Sequence, residues 1–388
     1  MLFQDDISRL SISVRGAQNG NIRMESVMES KLLDFNLDKS CVIIMGSKKR
    51  KTEIESELQE HPLMLCGKEM MNVKMEKYLG DMISSAGLSE SVHATVLKRK
   101  GQVVSSIIEI KAVVEDCRTN IVGGVLTGLD IWELAVLPYL LNNSETWTET
   151  SKKTFESLDN LQNMFYRNLL ATPRSCPIPS LLWETGGILM EFRVAQKKLL
   201  FYHHLTHLPE SSLAHEIAVI QTTLSYPGLM LECQEMIEEY NLPDAKPLSK
   251  IQWKKIVKKK ILELNQNCLL ETVKTKYKKL DYNVLIDEKF EMKEYLKSLN
   301  LPDARIKFGI RSKMTKSVQM NFKGDPSFAQ NHWKCQHCFT PDTQEHILRC
   351  PCYQHLRTGK DMNSDKVLVD YFRKVIKLRE KFDDEKRN

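Results

Sequence analysis

No stretch of this chain approaches the run of about 18 apolar residues that a membrane-spanning helix requires. Its first residues do not follow the basic-then-apolar pattern of a secretory leader; they carry an acidic pair, Asp5 and Asp6. Without a leader, the ten cysteines read as reduced thiols or metal ligands, not as a disulfide frame. Internal repeats and low-complexity segments are lacking. So are G-x-S-x-G, a glycine-rich phosphate loop and H-E-x-x-H, which removes the commonest hydrolase and nucleotide-binding signatures.

What is present suits a globular protein. The chain has 388 residues, enough for two or three domains, with 42% hydrophobic and 27% charged residues and a net charge of +6. Residues 1–95 look mixed. "ISRLSISV" alternates like a strand, and "KSCVIIMG" reads as a compact buried strand. The glycines in "MLCGKEMMNVKMEKYLGDMIS" divide short apolar runs in the manner of paired strands. From about 96 to 215 the pattern turns helical. "TFESLDNLQNMFYRNLLA" places Phe155, Leu158, Leu161, Phe165 and Leu169 on one face, and Pro173, Pro177 and Pro179 end it. Residues 216–325 are helical and basic, and the last 60 or so hold a Cys/His cluster and a helical tail.

That cluster, "KCQHCFTPDTQEHILRC", spaces its ligand candidates as Cys335-x2-Cys338-x7-His346-x3-Cys350. Three thiolates and an imidazole can close a tetrahedral zinc site with no open position, which is a structural arrangement. Cys352 and His355 are alternative fourth ligands, and chance clustering of reduced cysteines is the competing explanation. Trp333 and Phe339 flank the cluster, where their rings could stack on bases.

Lys254, Lys255, Lys258, Lys259 and Lys260 cannot all share one face of the predicted helix, but most of them could ring its polar side, with Trp253 interleaved. Lys274, Lys276, Lys278 and Lys279 follow with Tyr277, and "RIKFGIRSKMTK" adds Arg305, Lys307, Arg311, Lys313 and Lys316. Such stretches either contact phosphates, giving salt-sensitive affinity for RNA or DNA, or form a solvated helix face. His203 and His207 share a helix face but have no acidic partner nearby, which suits packing better than metal binding.

Asp5 and Asp6, between apolar runs, would set two hard oxygen ligands at one turn, suited to Mg²⁺. An Asp-Asp pair is also a common solvated turn. Its company points further. Phe3, Asp5 and Asp6 are followed by Lys39 to Gly46 ("KSCVIIMG") and by Lys77 to Gly80 ("KYLG"). After them come "LPYLLNNSETWT", "RNLLATPRSCPIPSLLWETG", "QKKLLFYHHL", "IKFGIRSKM" and the cysteine region. This order resembles the reverse transcriptases of non-LTR (LINE-like) retrotransposons over essentially the whole chain.

The resemblance implies an α+β fold: a small truncated palm-like α/β unit (1–95), a helical thumb-like region (96–215), a basic helical connector (216–325) and a CCHC zinc knuckle with a helical tail (326–388). It implies RNA-directed DNA synthesis by two-metal chemistry as the parent activity. In the family, however, the fingers and a third palm carboxylate precede the aromatic-x-Asp-Asp hairpin, and a small residue stands where this chain has Gln4. The expectation is therefore a C-terminal part of such an enzyme that does not polymerise alone, keeps structural zinc, and would need a complete palm to use Mg²⁺. RNA or DNA are the expected partners, no membrane is involved, and self-association through an exposed palm edge is expected. A host-retained, non-enzymatic binding module and a degenerate product without selected function are the alternatives. The sequence leaves the compartment open, intracellular in nucleus or cytoplasm, since lysine-rich stretches allow nuclear entry without showing it.

Overall fold

The computed structural model describes residues 2–3, 6–116, 122–276, 289–312, 314–315, 334–335, 337–357, 359–362 and 364–387. Its contacts fall into two compact units, Met1–Lys98 with Thr146–Thr154, and Arg99–Glu145 with Phe155–Asn388. Helix dominates, with four two-stranded sheets among the described residues, so the broad α+β class holds.

In the first unit, β1 (Leu2–Phe3) pairs antiparallel with β2 (Asp6–Ile7), Phe3 facing Asp6. Helix α1 (Val14–Ser30) starts on Ser13, whose hydroxyl accepts from Gly16 N–H. β3 (Cys41–Val42) leads to α2 (Lys48–Glu60), and two hairpins follow. The first joins β4 (Met64–Leu65) to β5 (Lys68–Glu69). β6 (Met71–Asn72) then runs parallel to β3. The second hairpin joins β7 (Met75–Tyr78) to β8 (Asp81–Ser84), with Tyr78 opposite Asp81. Its two turn residues, Leu79 and Gly80, both have positive φ (49° and 93°), the mirror-image turn that matches strand twist. Gly80 takes that conformation freely, which is why "YLGD" turns where it does.

The strand expected over "ISRLSISV" stops at Ile7, and α1 begins at Val14. Leu10 and Ile12 are almost wholly exposed, so no partner rewards an extended ladder there. Helix side chains stand in for strand partners instead. Gln18 brackets Met64 through both backbone groups, Asn21 donates to Met64 O at 2.9 Å, and Glu25 accepts from Cys66 N–H at 2.6 Å. A cleft of about 230 Å³ opens between α1, β3 and α2, lined by Val14, Ile44, Leu58 and Leu63.

Helix α3 (Leu88–Asp116) buries Val92, Val96, Val103, Ile107, Ile110 and Val114 at helical spacing. In the second unit, α4 (Gly124–Ile131) runs through a π-helical turn at Trp132–Val136 into α5 (Leu137–Leu140). Trp132 stacks on Phe165 of α6 (Lys152–Leu170), ring centroids 4.4 Å apart. Leu158, Leu161, Phe165 and Leu169 are all buried, the face that the spacing predicts. α6 ends before Pro173, and α7 (Ile178–Thr185) starts at Pro177. Gly186 then turns the chain at φ 67°, where a Cβ would meet Met292 N at 2.9 Å.

α8 (Met190–Thr206), α9 (Leu213–Thr223), α10 (Leu229–Glu239) and α11 (Lys250–Lys276) enclose a core of Leu199, Tyr202, Ala218, Met230, Cys233, Trp253, Val257 and Ile261. α12 (Glu294–Ser298) and α13 (Leu301–Arg311) follow. The Cys/His region contributes α14 (Gln344–Arg349), the short turn α15 (Gln354–Arg357) and α16 (Asp365–Arg387). No helix among the described residues is long and apolar enough to cross a membrane.

Candidate metal centre and basic helix

Cys335, Cys338, His346 and Cys350 converge, with their ligand atoms all within 4.8 Å of one another. Cys335 Sγ lies 4.0 Å from Cys350 Sγ, Cys338 Sγ lies 3.7 Å from Cys350 Sγ, and Cys338 Sγ lies 3.2 Å from His346 Nε2. A zinc ion bound at about 2.3 Å by three sulfurs and 2.0 Å by one nitrogen spaces its ligands by roughly 3.5 to 3.8 Å. The four atoms converge as the corners of such a tetrahedron would, at uneven spacing, and the set fits a metal such as zinc.

Local structure explains the convergence. Lys334 bridges antiparallel to Pro341, and Cys335 N donates to Thr340 O at 2.7 Å. Phe339 N donates to Cys335 O at 3.0 Å, closing the turn that holds the first two cysteines together. Thr343 caps α14 by accepting from His346 N at 3.0 Å, which fixes the ring one turn before Cys350. Cys350 N donates to His346 O, and Arg357 donates to Cys350 O at 2.9 Å. Fully buried Asp342 holds Arg379 of α16 through two bonds of 2.6 and 2.8 Å, and Arg379 Nε donates to Tyr353 Oη.

Burial pushes the Cys350 thiol up to about 12. Burial also raises Cys338, but hydrogen bonds with Thr340, Cys350 and Cys335 outweigh it and leave that thiol below its ordinary value. Burial holds His346 down, which favours the neutral imidazole that a metal needs. Three thiolates this close repel one another unless a cation sits among them. Of the alternative ligands, Cys352 is exposed and His355 lies on α15; neither belongs to the converging set.

The spacing of the cysteines and histidine was legible in the sequence. The supporting residues were not. Thr343 three places before His346 is a capping signal, but nothing local pairs Asp342 with Arg379, 37 residues on.

Helix α11 has two faces. Trp253, Val257, Ile261, Asn265 and Leu269, four residues apart, are buried. Lys254, Lys255, Lys258, Lys259 and Lys274 are exposed, and Lys260 pairs with Glu263 at 3.0 Å. Trp253 is thus a core residue and not an aromatic interleaved with the lysines; its Nε1 donates to Leu199 O at 2.8 Å. The side chain of Lys276 is not described, and Tyr277, Lys278, Lys279, Lys313, Lys316 and Trp333 lie outside the described residues, as does Asp5; for Asp6 only the backbone is described.

Arg311, expected to face phosphates, instead donates from Nε to both oxygens of wholly buried Glu184, at 2.9 and 3.0 Å. The reason is electrostatic: an ionised Glu184 without a cation would be too costly inside the protein. Lys307 pairs with Asp365, and Arg305 donates to Leu169 O and pairs with Glu115. His203 and His207 stack on each other, their Nε2 atoms lying 2.8 and 3.1 Å from backbone carbonyls of Leu248 and Lys246, as packing histidines do.

Comparison with protein-family models, with curated proteins and with solved structures finds no match.

Proposed function

We propose that this chain binds RNA or DNA through the basic face of α11, and that Cys335, Cys338, His346 and Cys350 form a structural zinc knuckle. The observation that carries the reading is the division of α11. One face is locked in the core by Trp253, Val257 and Ile261, so Lys254, Lys255, Lys258 and Lys259 are presented together on rigid backbone. The resemblance to non-LTR reverse transcriptases supports nucleic acid as the ligand and a palm-like first unit as ancestry. The proposal is binding and assigns no chemical step to Asp5 or Asp6.

The test is fluorescence anisotropy with a labelled single-stranded RNA over a salt series, with zinc measured on the same sample. One zinc per chain is expected, with affinity that falls as salt rises. Reversing Lys254, Lys255, Lys258 and Lys259 to Glu should weaken binding and lower the salt slope by roughly 3, the share of four phosphate contacts. Wild-type protein that binds no nucleic acid, or a reversed variant with an unchanged slope, would overturn the reading.

A further inference from the structure

Phe339 bears two penalties at once. Its ring is 71% exposed, and its backbone sits at φ 60°, a left-handed conformation that residues with a bulky side chain rarely adopt. Hydrogen bonds from Phe339 N to Cys335 O and from Cys335 N to Thr340 O hold the turn in this shape. The two cysteines before it pack with a small core of Ile347, Tyr353, Tyr371, Phe372 and Val375. Glycine would suit the backbone better and a polar residue would suit the solvent better. A turn closed by these two bonds that nevertheless presents a phenyl ring to water is suited to contact something flat and apolar.

The loop also points to the kind of partner. From Lys334 to Pro341 it contains no acidic residue, and Lys334 is exposed where it bridges to Pro341. A ring and a cation on one short hairpin suit a base and its phosphate.

We propose that Phe339 is a stacking platform for one unpaired nucleobase, with Lys334 facing the adjoining phosphate. This rests on the nucleic-acid reading above and narrows it to single strands, because a duplex hides its base faces within the stack. Stacking on a ring tolerates any base, so the contact selects strandedness and not sequence.

The test uses the full chain with Phe339→Gly and Phe339→Trp, a labelled single-stranded oligouridine and a blunt RNA duplex at one salt concentration. Glycine removes the ring and relaxes the backbone together. Phe339→Gly should keep its zinc and its melting temperature while losing affinity for the single strand by roughly tenfold, with duplex binding unchanged. Phe339→Trp should restore single-strand affinity. Loss of zinc or a lowered melting temperature in Phe339→Gly would make the ring structural and overturn the proposal. Equal loss on duplex and single strand would also overturn it. Single-strand binding that depends on the α11 lysines but ignores Phe339→Gly would overturn this proposal and leave the α11 reading standing. Wild-type protein that binds no RNA would end both.

Discussion

Asp159, on α6, accepts a hydrogen bond from Met190 N at the start of α8. Burial raises its carboxyl to about 6, against an ordinary 3.8; the bond from Met190 works in the opposite direction, and nearby Glu191 raises it further. A folded-state value above the unfolded one means that the folded protein holds a proton which the unfolded chain releases. Asp159 therefore costs nothing below about pH 4, and its penalty grows until about pH 6. Asp159→Asn keeps the acceptor and removes the charge. It should match the wild type in urea unfolding at pH 4 and exceed it at pH 7 by at most about 3 kcal/mol. The same difference at both pH values would mean that the carboxyl titrates normally. Glu184 gives a second residue-scale expectation. It accepts from Arg311 and from Tyr295 Oη at 2.7 Å, with no exposure of its own. Glu184→Ala strands Arg311 and should cost about 3–5 kcal/mol, whereas Glu184→Leu with Arg311→Met should recover most of it. Arg311→Met alone should change stability and leave RNA affinity untouched; a drop in affinity would return Arg311 to the binding surface.

At the scale of elements, α14 and α16 meet over the metal-ligand cluster. Cys335, Ile347, Cys350, Tyr353, Tyr371, Phe372 and Val375 form one small core, with Ile306 and Ile310 of α13 packed against it. α14 has only six residues, too few to persist as an isolated helix. A metal held by His346 within it and by Cys350 just past its end would pin it in place. Chelation or Cys335→Ser should therefore speed amide exchange over Gln344–Arg349 and leave α6, whose face is locked by Trp132, protected. Equal exchange with and without metal would remove zinc from the account of this core. The two elements also differ in how they can be read from sequence. α6 shows its buried face by spacing alone, because helix periodicity and burial coincide there. α11 did not. Ile251 looks apolar enough for a core yet is 81% exposed, while Trp253 two residues later is wholly buried. Only the position of Leu199 and its neighbours on α8 settles which stripe faces inward.

Across the whole molecule, large apolar side chains remain at the surface of both units. In the first, Leu10, Ile12 and Leu32 are over 90% exposed. In the second, Leu213, Ile217, Ile220 and Leu224 recur along α9 at helical spacing, each over 40% exposed. Exposed apolar clusters of this kind favour association. The chain should show concentration-dependent oligomers by sedimentation, and the triple change of Leu10, Ile12 and Leu32 to Ser should shift it toward monomer. If only Ile217→Ser with Ile220→Ser does so, association runs through α9. A monomer at all concentrations would argue against both.

The sequence by itself determined the helical middle, the two-residue turns at Gly67 and Gly80, and the spacing of a four-ligand set, because each depends on residues within a few positions of one another. Tertiary structure decided the rest. Glu184 and Arg311 are 127 residues apart, and only folding makes that arginine a counter-ion instead of a phosphate contact. Asp342 and Arg379 pair in the same way under the metal ligands. "ISRLSISV" carries a strand's alternation without a strand's partner, so it ends after Ile7. Local pattern sets what a segment can become; whether a charge is buried, a strand paired or a ring left in water depends on what the distant parts of the chain bring beside it.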